Sequence, residues 1–202
     1  MNKDIASIYN LYVESKDDAV ERIDDHGNRR WTKDNLLHRE DGPAIILANG
    51  TEEWYKNGKR HREDGPAIKY RNGNEYWILN GVRHRDDGPA IDEHDRKEWY
   101  QHGKLHRDDG PAVIRTGPGD TKVAIWYKHN VGHRLDGPAF ITGDADDPEV
   151  AHWYVDGTKY DDMNQWAKAA LEYQGKSSDK ASVAAYLRPF LPLMASKVAS
   201  EI

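Results

Sequence analysis

Cysteine is absent from the 202 residues, which excludes a disulfide framework, thiolate metal sites and thiol nucleophiles. Phenylalanine occurs only twice, against seven Trp and eleven Tyr, so burial rests on the larger aromatics. No apolar run approaches the roughly 18 residues that a membrane span needs, and the opening stretch from Met1 to Asn10 lacks the apolar run of a signal peptide. A basic stripe is missing as well. The net charge is -6, residues 1–26 hold seven acids against three Lys/Arg, and residues 161–202 hold five of each. Phosphate-backbone binding depends on clustered Lys/Arg, so nucleic acid is disfavoured as a partner, and the carboxylates are too sparse for an acidic DNA mimic. The chain also lacks a Gly-x-x-x-x-Gly-Lys-Ser/Thr phosphate loop, a His-Glu-x-x-His zinc motif and a Gly-x-Ser-x-Gly nucleophile elbow. With 37% hydrophobic and 32% charged residues, a thin half-solvated sheet fits better than a thick two-layered core. These features predict a soluble, cytoplasmic protein that is not an enzyme and carries no cofactor.

What the chain does have is repetition. The stretch His-Arg-x-Asp-Gly-Pro-Ala begins at His38, His61, His84, His106 and His133, at separations of 23, 23, 22 and 27 residues. Trp31, Trp54, Trp77, Trp99 and Trp126 each lie seven residues ahead of a histidine. A sixth unit keeps Trp153 but carries Tyr160-Asp161-Asp162 where the motif belongs. Self-similarity at this period marks a stacked-repeat architecture.

Counting outward from the turns predicts the register. Between Trp and His stand Asp34-Asn35, Asn57-Gly58, Asn80-Gly81, His102-Gly103, His129-Asn130 and, in the sixth unit, Asp156-Gly157. These residue types tolerate the positive φ angles of a type I′ hairpin turn. Such a turn at Asn57-Gly58 opposes Lys56 to Lys59, Tyr55 to Arg60 and Trp54 to His61, and directly opposed residues share a sheet face. A second two-residue turn at Asn49-Gly50 and Asn72-Gly73 would place Ile45 opposite Trp54 and Ile68 opposite Trp77, leaving each tryptophan between an aliphatic residue and its own histidine. Later connections grow, through Thr116-Gly117-Pro118-Gly119-Asp120 and Gly143-Asp144-Ala145-Asp146-Asp147-Pro148, at one edge of the meander, which leaves the register intact.

Helical periodicity is confined to the ends. Ile5, Ile8 and Tyr12 share one face of a short helix, and Ser15 with Asp18 has a capping-box-like form that predicts a further helical turn over Lys16 to Ile23. Asp161 reads as the N-cap of a helix with a stripe of Met163, Trp166, Ala170 and Tyr173, stopped by Gly175. Val183, Leu187, Phe190, Met194 and Val198 recur at helical spacing, but Pro189 and Pro192 break the run into two short helices near Arg188-Pro189. The organisation expected is a helical cap over 1–26, six β-hairpin repeats over 27–160 and C-terminal helices over 161–202. The fold class is mainly β: an elongated single-layer antiparallel hairpin sheet with helical caps at both ends.

The hairpin Glu53-Trp54-Tyr55-Lys56-Asn57-Gly58-Lys59-Arg60-His61, followed by Tyr70-Arg71-Asn72-Gly73, resembles the MORN repeat in its Trp-Tyr variant from bacteria and viruses. The likeness covers about residues 27–160. It implies a single-layer twisted sheet of hairpins, and the His-Arg-x-Asp-Gly-Pro-Ala form is similar to proteins of tailed bacteriophages and giant viruses, with related variants labelled antitoxins. Where a typical unit continues His-Gly-x-Gly, this chain differs, so the lipid association of some members is not carried over.

The candidate residues are weighed against architecture. Histidines with Asp41, Asp64, Asp87, Asp109 and Asp136 offer metal-ligand types, but equivalent positions lie two strands apart, about 9–10 Å, whereas zinc ligands converge at about 2.0–2.2 Å from one ion. The histidines are read as structural, packed on tryptophan, and no metal is expected. The aspartates are read as acceptors for turn amides, Gly as the permit for a close bend, and Arg39, Arg62, Arg85, Arg107 and Arg134 as a ladder of ion pairs or a periodic partner-binding surface. The acidic loop Asp144–Glu149 has Pro148 and Glu149 where a calcium loop needs a ligand and a glycine. Paired acids such as Asp86-Asp87 and Asp108-Asp109 would point to opposite faces of a strand. Tyr186, Leu187, Phe190, Leu191 and Met194 offer a second candidate partner-binding surface. The function expected is a non-enzymatic, phage-encoded repeat protein that docks on a host protein and modulates or neutralises it, as an anti-defence or antitoxin-like factor. The alternatives are a virion or scaffold component that self-associates through its C-terminal helices, and an enzyme with a site in the loops near 116–120 and 143–149.

Overall fold

The computed structural model describes residues 18–143 and 148–192. The protein is mainly β, built of short antiparallel strands with helices near the C-terminus. It divides into two units, Met1–His94 and Asp95–Ile202.

In the first unit the central ladder runs Val20–Ile23, Arg29–Lys33, Ile45–Ile46, Glu52–Glu53, Ile68–Lys69, Glu75–Tyr76 and Ile91–Asp92, each strand antiparallel to the next. Outer hairpins branch from it, Tyr55–Lys56 with Lys59–Arg60 and Ile78–Leu79 with Val82–Arg83. The branch point is tryptophan. Trp54 donates its N–H to the Ala67 carbonyl at 2.8 Å on the ladder side, and its own carbonyl accepts from His61 N–H at 3.1 Å on the hairpin side. Trp31 and Trp77 do the same with Ala44 and His38, and with Ala90 and His84.

The second unit repeats the plan. Its ladder runs Arg96–Glu98, Val113–Thr116, Lys122–Ile125, Phe140–Gly143, Pro148–Val155 and Thr158–Tyr160, with outer hairpins at Tyr100–Gln101/Lys104–Leu105 and Tyr127–Lys128/Val131–Gly132. Trp99 and Trp126 are its branch residues. The insertion after Thr116 folds as a 3-10 turn over Pro118–Asp120 and leaves the pairing Val113↔Ile125 to Thr116↔Lys122 unbroken. The second insertion does disturb its edge: the register shifts between Thr142 and Gly143.

The Trp–His pairing follows the count from the turns, and the turn residues have the positive φ that type I′ geometry requires, such as Asn57 at 50° with Gly58 at 76°. The second turn differs. Ile45 opposes Glu53 rather than Trp54, and Ile68 opposes Tyr76 rather than Trp77. Leu47 N–H bonds to the Thr51 carbonyl at 2.9 Å, and Gly50 N–H bonds back to Leu47 at 2.8 Å. The loop is therefore three residues closed by a glycine at φ 85°, the arrangement of a type I turn with a G1 bulge, and the odd count moves every pair by one.

The N-terminal boundary also needs correcting. The residues proposed for a helix over 3–14 lie outside those described, but Val20–Ile23 is a strand and not a helical turn. The Asp24 carboxylate accepts the N–H groups of His26 and Asn28 at 3.0 Å each, and Gly27 sits at φ 79°. Together they turn the chain back so that Glu21, buried, meets Arg29 at 2.5 Å across the hairpin.

Helix α1 spans Met163–Tyr173, and its N-cap is Asp162, one residue later than expected, with the carboxylate accepting from Asn164 N–H at 2.7 Å. Gly175, at φ 67°, follows its end. Helix α2 spans Lys180–Leu187, capped by Asp179, and passes into a 3-10 turn over Arg188–Phe190 at the expected proline break. Trp153, Val155, Trp166, Ala167, Ala170 and Leu187 form the core of the second unit beneath these helices. Among the described residues no helix is long and apolar enough to cross a membrane.

Candidate functional site: a groove between clamped bends

The residues that follow each histidine form a bend, and its arginine folds back into it. Arg62 places its guanidinium carbon 4.1 Å from the Trp54 ring centroid, while Nε donates to Asp64 Oδ1 at 2.9 Å and Nη1 to the Pro66 carbonyl at 3.5 Å. The same clamp recurs at Arg39 on Trp31, Arg85 on Trp77, Arg107 on Trp99 and Arg134 on Trp126, with ring distances of 4.1, 3.8, 4.1 and 3.9 Å. A cation on an indole face is held by the ring quadrupole, more strongly as water is excluded. The glycine of the motif explains itself here. A Cβ on Gly65 or Gly88 would stand 2.8 Å from the guanidinium carbon of Arg62 or Arg85, so the residue is small because the arginine lies over it. The motif alanines complete the bend: Ala44, Ala67, Ala90 and Ala112 are fully buried.

These contacts give the motif side chains specific partners. The arginines form ion pairs with neighbouring carboxylates, in each case the aspartate two residues on within their own bend. The aspartates accept from a guanidinium, and the carboxylates of Asp64, Asp87 and Asp109 are also held by their own backbone amides. The arginine covers the tryptophan. The hydrogen bond and charge of Arg62, Arg85 and Arg107 hold the carboxyls of Asp64, Asp87 and Asp109 below the usual carboxylate range. Adjacent acids then divide their partners: Asp86 faces His84 at 3.5 Å while Asp87 takes Arg85.

The histidine joins one repeat to the next. Nδ1 of His38, His61 and His133 accepts the first turn amide of the following hairpin, from Asn57, Asn80 and Asp156, at 3.1 Å in each case. That bond places the remaining proton of the neutral ring on Nε2, which faces Glu40 at 4.0 Å in His38 and Glu63 at 3.3 Å in His61. Flanking backbone bonds, Arg39 N–H to the Tyr55 carbonyl and Gly58 N–H to the Leu37 carbonyl, at 3.2 and 2.8 Å, fasten the same junction. His106 departs from the rule. Its Nδ1 is buried without a hydrogen-bond partner, and its ring stacks on His129 at 4.0 Å with the planes 2° apart. The charge of His106, ahead of burial, pulls the His129 imidazole below its ordinary value.

A groove lies between successive bends. In the first unit it measures about 700 Å³, walled by Arg39–Pro43 and His61–Asp64 and floored by Trp54 to Lys56. In the second unit the equivalent groove, of about 560 Å³, uses Arg107–Pro111, His133–Asp136 and Trp126 to Lys128. The arginine side chains are 19% to 25% exposed, whereas those of Asp64, Asp87, Asp109 and Asp136 are 81% to 85% exposed. The surface offered to a partner is therefore made of carboxylates and of Lys56 or Lys128, not of free guanidinium groups.

The helical candidates fare differently from one another. Leu187 is buried, Phe190 stands edge-on to Trp153 and Trp166 at 5.6 and 5.4 Å, and the Tyr186 hydroxyl donates to the Leu135 carbonyl. Leu191 is exposed, and Met194 lies outside the described residues. The sixth unit, which lacks the arginine, shows why: Trp153 is covered by Trp166 at 4.5 Å in place of a guanidinium. The loop at 116–120 contains the 3-10 turn over Pro118–Asp120, and most of the loop at 143–149, including the acidic stretch, lies outside the described residues.

Among the described residues no group of three or more His, Asp or Glu is placed to hold a metal. In His38 and His61, Nδ1 is taken by an amide and Nε2 is turned to a carboxylate. The thermal midpoint is expected to be unchanged by a strong chelator, and a fall of many degrees would restore a metal to the fold. No protein-family model matches the chain, and no curated protein is significantly similar to it.

Proposed function

We propose that the chain is a non-enzymatic binding protein of the MORN-like hairpin class that docks on another protein through the grooves between its bends. The observation that supports this is the recurrence of one groove in both units from equivalent positions, with Lys56 and Lys128 at the same place in each. A catalytic centre is needed once, whereas a docking surface gains from repetition, since linked weak contacts multiply in effect. The phage origin and the host-directed, modulating or neutralising action belong to the same proposal and rest on the resemblance of the motif.

The test uses groove side chains outside the clamps. Lys56→Ala, Glu63→Ala and Lys128→Ala are combined in the full chain, and both proteins are used to capture partners from bacterial lysate, with each partner identified, purified and bound directly. A partner held by the parent and weakened at least about tenfold by the triple variant, which is about 1.4 kcal/mol, supports the grooves as the site. Equal binding by both overturns it.

A further inference from the structure

The fifth bend breaks a rule that the other four keep. Nε2 of His38, His61, His84 and His106 faces a carboxylate at the third motif position, Glu40, Glu63, Asp86 or Asp108, at 4.0, 3.3, 3.5 and 3.4 Å. In the fifth copy that position is Leu135, whose side chain packs into the core beneath the C-terminal helices. His133 is thus the motif histidine without a motif carboxylate. It is also the one against which α1 rests, with the Tyr173 ring 4.7 Å away at 53°.

We infer that His133 is a proton-operated latch between the last full repeat and the C-terminal helices, closed when the imidazole is neutral and opened when it is protonated. In the neutral ring Nδ1 accepts the Asp156 amide at 3.1 Å. Protonation places a hydrogen on that nitrogen, so two donors face each other across the junction and the bond is lost. In the other bends a carboxylate beside Nε2 would compensate the new charge; here Leu135 cannot.

The groups around the ring come from each element packed on it. Lys128, on the adjacent hairpin strand, repels an imidazolium and also lies 5.8 Å from the Tyr173 ring. The Asp156 carboxylate, in the next turn, attracts it but is a lesser influence than burial or Lys128. From α1 comes Tyr173, whose tilted ring offers a cation weak attraction. From α2 comes Tyr186, whose hydroxyl is committed to the Leu135 carbonyl. Within the bend, Asp136 is committed to Arg134 at 2.8 Å. Burial and then Lys128 hold the His133 imidazole below its ordinary value of 6.5. The folded state therefore favours the neutral ring, and the stabilisation is complete above about 6.5 and falls away as pH drops through the lowered folded value.

Amide hydrogen exchange on the full chain tests the latch. Between about pH 7.5 and pH 5.5, after correction for the intrinsic rate, protection of the Asp156 amide and of α1 is expected to fall by about tenfold. His133→Asn, which retains an acceptor near the Nδ1 position but cannot titrate, should abolish the acid-dependent loss, whereas His61→Asn should leave it. Unchanged protection of α1 in the parent, or the same acid loss in His133→Asn, overturns the inference. Should His133→Asn fail to fold, the His133 titration followed by NMR in the parent decides: a midpoint below 6.5 that coincides with loss of α1 protection supports the latch, and one at or above it refutes it.

Discussion

Replacing Trp166 with alanine is expected to destabilise the second unit by about 3–5 kcal/mol, the range for emptying a buried aromatic site. The indole is fully buried and sits among Trp153, Phe190 and Tyr186 at centroid distances of 4.5, 5.4 and 5.6 Å. It is also what covers Trp153 in the unit that has no arginine clamp, so its loss uncovers a second aromatic. Urea unfolding followed by circular dichroism measures the cost. A companion change separates packing from polarity: Trp166 Nε1 has no hydrogen-bond partner, so Trp166→Phe forfeits no bond and should cost under about 1.5 kcal/mol. If the phenylalanine variant were as unstable as the alanine variant, an indole N–H interaction would have to exist.

The register and the helices show how much of the molecule is legible in the chain. The Trp–His register could be counted from Asn57-Gly58 because a two-residue turn at positive φ allows one pairing only. The same dipeptide at Asn49-Gly50 misled by one residue, since it serves equally as the end of a three-residue loop, and the difference lies in which carbonyl the glycine amide meets. The proline break after Leu187 was readable because proline is excluded by geometry. The C-terminal apolar stripe was readable as a stripe, but whether it faced a partner or Trp153 depended on a distant fact, the loss of the arginine from the sixth unit.

The clamp was the part of the site least visible. His-Arg-x-Asp-Gly-Pro-Ala gives no sign that the arginine turns back over its own glycine and onto a tryptophan eight residues earlier in the chain. A hint existed in the co-occurrence: the units with the arginine have the glycine two positions past the third residue, and the unit that loses one loses both. Alanine at the seventh position, repeated without exception, signalled complete burial. Neither hint identifies the donor and acceptor without coordinates, because the sheet, not the spacing, brings the indole beneath the guanidinium. That placement has a functional corollary, since it withdraws five arginines from the surface and leaves the carboxylates they orient.

A double-mutant cycle on the third bend tests the clamp through a reversal of sign. Arg85→Ala removes a guanidinium 3.8 Å from the Trp77 centroid and the aliphatic stem that packs with it, and is expected to cost about 1–2 kcal/mol, the range for a largely desolvated cation–π contact. Gly88→Ala is expected to cost a similar amount for a different reason: the new Cβ would stand 2.8 Å from the Arg85 guanidinium carbon and must push it off the ring. Gly88 is not at positive φ, so its backbone has no quarrel with alanine. Once Arg85 is gone, Gly88→Ala should therefore be neutral or stabilising by about 0.4–1 kcal/mol, through the reduced freedom of the unfolded chain. Additive costs in the two backgrounds would show that glycine is needed for the bend itself and that the clamp does not select it. Arg85→Lys should fail to restore the parent stability, because a compact ammonium cannot lie flat between an indole and a glycine while donating to both Asp87 and the Pro89 carbonyl.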